Sequence, residues 1–170
     1  MIRPFNERWL LWILLLGPGA FAVEPLFTID RSLNRNQVVY EVNLAEGGWD
    51  AGDPIRVYWV LQEEDGKIEA LSAIEESFAY GVSVRKRDSV EVRFVLKALP
   101  KKEITVRRRE AGKFVAVTDI LGQPAVIKSI FIKTVGSGIF SSVRYVEVTG
   151  SSVGGEETLI ERFEPKKSFG

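Results

Sequence analysis

From Ser89 to Ala98 the chain reads SVEVRFVLKA, with Val90, Val92, Phe94 and Leu96 alternating against Glu91, Arg93 and Lys97. A period of two is the mark of a strand with one face on a core and the other in water. The pattern recurs along the chain and constrains the fold more than any other feature. NQVVYEVNL sets Val38, Tyr40, Val42 and Leu44 on one face, and IRVYWVLQ does the same with Ile55, Val57, Trp59 and Leu61. LFTI, EITVRRR, KFVAVTDI, AVIKSIFIKT, VRYVEVTG and TLIERFE continue the series. Turn formers separate them, among them Gly47-Gly48, Asp65-Gly66, Gly122-Gln123-Pro124 and Gly154-Gly155. Roughly ten short strands at this spacing predict a mainly β chain, an antiparallel β-sandwich or a partly open barrel.

LSAIEESFAYG interrupts the alternation. Ser72 followed by Glu75 makes a capping box, and Gly81 stands where a helix ends. The spacing predicts a helix over about 72–80, too short to hold in water alone and therefore packed on a sheet. Tyr58 and Trp59 are neighbours in a strand, so they face opposite ways. Trp59 shares its side with Ile55, Val57 and Leu61 and belongs to the core. Tyr58 and Val60 point away from it, and the expectation is that the helix covers them. Trp59, Ser72, Glu75 and Gly81 are thus structural residues.

The N-terminus bears on location. Arg3 and Arg8 precede an apolar run from Trp9 to Ala22 that is broken by Gly17-Pro18-Gly19, and Ala20-Phe21-Ala22 gives the small-x-small pattern of a cleavage site. Residues 1–22 read as a secretory signal peptide, residues 23–165 as one β-rich domain, and 166–170 as a frayed tail. The run is short for a spanning helix, so no stable membrane span is expected after cleavage. The protein is expected to be periplasmic or secreted.

The chain has no His and no Cys among its 170 residues. That removes imidazole bases, Ser-His-Asp and Cys-His arrangements, and zinc sites built on nitrogen or sulfur. No catalytic residue, metal site or cofactor is read from the sequence. Asp50 and Asp53 in GGWDAGDP invite a calcium reading, but their spacing fits turn-capping better.

Charge is balanced overall, with 23 basic and 23 acidic residues, which argues against nucleic acid as partner. It is unevenly spread. Between Val84 and Lys113, eleven basic residues meet four acidic ones, whereas Asn36–Gly81 holds ten acidic residues and two basic. Strand parity places Arg93, Lys97, Arg107 and Arg109 on the face away from the core. These four, with Tyr58 and Tyr80 as a possible pocket, are the candidate ligand-binding residues. The rival readings are a solvated face paired to Glu91 and Glu103, and packing roles for the tyrosines.

Several stretches resemble bacterial exported proteins carrying the domain of unknown function 4833. They are LFTIDRSLNRNQVVYEVNL, PIRVYWVL, LSAIEESFAYGVSV, QPAVIKSIFIK and VRYVEVTGSS…EETLIERF, in that order. Thr149 departs from the pattern, where the family has an aromatic residue. The resemblance implies an extracytoplasmic β-rich domain and carries no activity with it. The reading is a non-catalytic binding or adaptor module of the cell envelope, meeting an anionic or amphiphilic ligand, an envelope component or another exported protein. A carboxylate-based hydrolase of envelope glycans is the alternative.

Overall fold

A computed structural model describes residues 24–164 apart from 47, 110–111, 137–141 and 156. The leader expected over 1–22 and the tail over 166–170 lie outside the described residues. Among those residues no helix is long and apolar enough to cross a membrane.

Among the described residues thirteen strands form: β1 Phe27–Arg31, β2 Gln37–Val42, β3 Leu44–Ala45, β4 Gly48–Trp49, β5 Ile55–Leu61, β6 Lys67–Ala70, β7 Val82–Arg87, β8 Glu91–Leu96, β9 Leu99–Arg108, β10 Phe114–Ile120, β11 Gln123–Val135, β12 Ser142–Ser152 and β13 Thr158–Phe163. Among the described residues one α-helix, α1, spans Ala73–Phe78 between β6 and β7, and a short 3₁₀ turn at Gln62–Glu64 joins β5 to β6. Apart from the small β3–β4 ribbon, the strands make one sheet in the order β6-β5-β2-β1-β11-β10-β9-β8-β7, with β12 and β13 branching from β11. The sheet curls into an open half-barrel. Of the two architectures expected from the sequence, the partly open barrel is the one formed.

The branch point explains the curl. β12 runs along one edge of β11 from Ala125 to Val135. Its other edge is divided, with Gln123–Val126 pairing β10 and Ser129–Ile132 pairing β1 in parallel. Between these segments the β12 register steps from Ile127/Gly150 to Ser129/Thr149, leaving Lys128 as a bulge. A bulge bends its strand and sharpens the twist, so β10 and β1 leave β11 in different directions. Each starts an arm, β1-β2-β5-β6 and β10-β9-β8-β7.

The inner faces of the arms merge into one core. Val38 and Tyr40 of β2, Ile55 and Trp59 of β5, and Val92 and Phe94 of β8 are all buried in it, as the alternation predicts. Leu44 and Val90 are exposed instead. The chain leaves the β2 line at Asn43, and Asp88 Oδ1 accepts the N–H groups of Val90 and Glu91 to make a turn there. β6 and β7 do not show in the alternation. All four residues of β6 are exposed, and a register break between Val84 and Lys86 disrupts β7.

The two arms end in free edges, and residues 71–81, including α1, cross between them. Backbone N–H groups of Lys97 and Ala98 donate to the carbonyls of Gly81 and Ala79. The buried Tyr40 hydroxyl donates to the Tyr80 carbonyl at 2.6 Å. Burial, then the nearby Tyr80, pushes the Tyr40 phenol well above its ordinary pKa, so it serves as a neutral donor. The capping box forms as expected, Ser72 and Glu75 bonding each other reciprocally.

The position of α1 corrects one expectation. No residue of the helix is buried. Ser72 and Glu75 border Trp59, so α1 lies on the Trp59 side and leaves Tyr58 and Val60 uncovered.

At the branch point Gly150 has no room for a side chain. A Cβ there would stand 2.6 Å from the Val126 carbonyl oxygen and 2.8 Å from Ile120 Cδ1. Gly150→Ala is expected to destabilise the fold by about 1–3 kcal/mol, as overpacking does, read as a lower midpoint in urea with an unchanged m-value.

Candidate functional site

The candidate residues fall in three separate places. Tyr58, on the outer face of β5, donates its hydroxyl to Glu41 Oε2 at 3.0 Å and lies under the Arg56 guanidinium. Partial burial, then the bond to Glu41, raises its pKa. Tyr80 is buried on the inner side, its ring edge-on to Trp59 at 5.3 Å. The two tyrosines therefore do not share a pocket.

Of the basic residues on β8 and β9, Arg93 and Lys102 pair with carboxylates. Arg93 meets Glu91 at 2.6 Å and Glu103 at 3.9 Å, and Lys86 meets Asp88 at 2.8 Å. Hydrogen bonds from Lys86, then from the Glu91 and Val90 amides, hold the Asp88 carboxyl far below the usual range. Glu91 and Asp88 lie two residues from Arg93 and Lys86 in sequence, and of these three ion pairs only the one to Glu103 crosses to the next strand. Lys97 lies in the β8–β9 turn, and Arg107, Arg108 and Arg109 line a shallow concavity with Val117 and Val153.

A more built arrangement surrounds Trp59. The guanidinium of Arg31, the last residue of β1, sits 4.7 Å from the centre of the indole, and its Nη1 reaches the Tyr80 hydroxyl at 3.4 Å. Arg31 Nε is buried with no hydrogen-bond partner among the described residues. Burial tends to raise the Glu75 carboxyl. The Ser72 amide and hydroxyl, the Trp59 indole and the charge of Arg31 outweigh it and lower the pKa. A cation on an indole face, facing a capping carboxylate, ties β1, β5 and the start of α1 together.

Arg31 also stands in the wall of an apolar cleft of about 490 Å³ between the arms. Ile29, Tyr80, Leu96, Ile130 and Val146 form its inner surface. Its mouth is apolar too, since Phe78 is 78% exposed and Leu33 50%. Leu99 and Phe163 separate it from a second hollow of about 730 Å³, which those residues also line. There Lys102 donates to Glu161 at 2.7 Å and to the Asp119 carbonyl at 2.6 Å. Lys101, beside it on the strand, is exposed.

A third hollow, about 430 Å³, lies between β5 and β7. Asp50 caps its rim by accepting the amides of Gly52 and Asp53, as turn-capping predicts. Asp53 is different. Burial, then Asp50 and Glu76, raises its pKa. Among the described residues no group of three or more carboxylates is placed to hold a metal ion.

With this geometry in view, comparison with known proteins adds one finding. A family model for the domain of unknown function (DUF4833) matches residues 27–162. The chain belongs to that family. No curated protein and no solved structure matches it. DUF4833 membership brings no reaction or ligand with it, so the chemistry rests on the side chains. In this DUF4833 chain the residues that sequence reasoning missed are Arg31, Phe78, Leu99 and Phe163. Phe78 lies on the helix that the sequence places against a sheet, and no local pattern marks the other three.

Asp53 yields a test with a defined sign. Its acid is weaker in the folded state, so ionisation costs stability above the folded pKa and nothing below the unfolded one. Asp53→Asn is expected to raise stability at pH 7 by under about 1 kcal/mol, water screening keeping the term small. The gain should vanish as pH falls through the aspartate range, and thermal melts across that range would show it.

Proposed function

We propose that the chain is an exported, non-catalytic binding module of the cell envelope, whose ligand is an amphiphile with an anionic head. One observation carries the reading: an apolar cleft, open at Phe78 and Leu33, has in its wall a guanidinium whose Nε is buried without a partner among the described residues. Ligand sites are mostly apolar with a few placed polar groups. A carboxylate or phosphate on Arg31 would satisfy that nitrogen with a charge-assisted bond, while the tail covers the cleft. The location rests on the leader sequence at 1–22 and on nothing else.

A long-chain fluorescent fatty acid, compared with the corresponding alcohol, tests this. The acid is expected to bind saturably and the alcohol more weakly. Arg31→Gln should weaken the acid about tenfold, or about 1.4 kcal/mol, and leave the alcohol unchanged. Phe78→Asp should weaken both, and because Phe78 is exposed the melting temperature should hold. Equal affinity for acid and alcohol would remove Arg31 from the site.

A glycan hydrolase is the second reading, and Asp53 favours it: a carboxyl with raised pKa beside Glu76 in a concave site is the pattern of an acid catalyst. The nearby walls are Ile55, Val57, Val82 and Val84, whose side chains give a sugar no hydrogen bonds. Release of reducing sugar from cell-wall glycan, lost in Asp53→Asn, would establish it.

A further inference from the structure

The hollow between β5 and β7 is a gap in the sheet. Along β5, only Tyr58–Leu61 pair with β6. Ile55, Arg56 and Val57 pair with β2 on one side, and among the described residues no strand pairs their other side. β7 ends the opposite arm, paired to β8 alone. Two open backbone edges therefore border one space.

The edges run in opposite directions. Near the start of β5, Arg87 at the end of β7 donates to the carbonyls of Ala51 and Asp50. Further along β5, Trp59 meets Tyr80, two residues before β7 begins. The space between has apolar walls in Ile55 and Val57 on one side and Val82 and Val84 on the other. Leu71 and Gly81 close one end, and Gly52, Asp53 and Pro54 the other. Gly81 permits that closure, because a Cβ there would overlap the Glu76 carbonyl.

Unpaired edges are templates for another strand, and proteins ordinarily blunt or cover them. The outer half of β7 is blunted by its bulge and by Arg85, Lys86 and Arg87. Val82 and Val84 are not. The charge around the gap selects the occupant. Of the residues lining it, only Asp53 and Glu76 carry charge, and neither forms a salt bridge among the described residues. Arg87 is directed to the loop carbonyls beyond them.

We propose that the gap between β5 and β7 docks a short extended segment of another polypeptide, which pairs with the open edges, turns alternate apolar side chains inward and sets a cation against Asp53 and Glu76. This is strand addition, in which main-chain bonds give affinity and alternate side chains give specificity. At about 430 Å³ the space holds roughly three residues, one turned to the core and its neighbours to water. The site is distinct from the Arg31 cleft and shares none of its lining.

The test uses the full chain and a fluorescein-labelled peptide alternating Val and Thr after an N-terminal Lys. Saturable anisotropy binding is expected, with slowed exchange at the amides of Ile55, Val57, Val82 and Val84, which face the open edges. Replacing the peptide's Lys with Glu should weaken binding at least tenfold, and methylating alternate peptide amides should abolish it. The Asp53→Asn, Glu76→Gln double variant should bind the Lys and Glu peptides alike. Val84→Lys should lose the peptide while keeping its melting temperature and its fatty-acid affinity, which separates this site from the cleft. The proposal is overturned by absence of saturable binding, by indifference to amide methylation, or by protection at other strands. Slow exchange at the amides of Ile55, Val57, Val82 and Val84 without peptide would assign the gap to a second copy or to the chain itself, and would overturn it equally.

Discussion

The sheet depends on how β11 shares its edge. A strand offers two rows of backbone groups, and β12 takes one of them along almost all of β11. β10 and β1 must then lie end to end on the other. Two neighbours in that position cannot lead to one flat sheet, because the strand between them bends at the Lys128 bulge. The arms diverge, curl and meet face to face. Gly150 lies across from the bend, where the Val126 carbonyl and Ile120 come too close for any side chain.

The arms bury one another's inner faces but do not seal. The crossing segment is held by its flanks, through Tyr40 to the Tyr80 carbonyl and through the amides of Lys97 and Ala98. The helix itself buries nothing. Its apolar residues Ile74 and Phe78 are thereby left outward, and Phe78 falls at the mouth of the cleft. A segment braced by backbone bonds rather than by its own side chains is free to present those side chains to a ligand. The Arg31–Trp59–Tyr80 contacts work in the same place, linking the first strand to the start and end of the crossing.

Much of the fold is legible in the sequence because burial of one strand face imposes a period of two. Val92, Phe94 and Leu96 are as buried as their alternation predicts, and Trp59 is inward as its neighbours require. The capping box at Ser72 and Glu75 is equally local and equally legible. What fails is whatever depends on two distant segments. The free-edge strands β6 and β7 bury too little to carry a pattern, and those are the strands that border the gaps. The parallel pairing of β1 with β11 leaves no local trace either. Of the basic residues read as a face for anions, Arg93 has a partner in Glu91, two residues away in sequence. Arg31 attracted no attention because its meaning lies in Trp59 and Tyr80, far along the chain.

The parallel pairing of Thr28 with Ser129 has a kinetic consequence. Roughly a hundred residues separate those partners, and contacts between distant positions are slow to form. The earliest strand to leave the ribosome must wait for nearly the last before its second edge is satisfied. Until then β1 can hold only the outer place of its own arm, paired to β2 alone. The half-barrel therefore closes late: each arm can pair within itself before β11 is made, and the strand that joins them follows both.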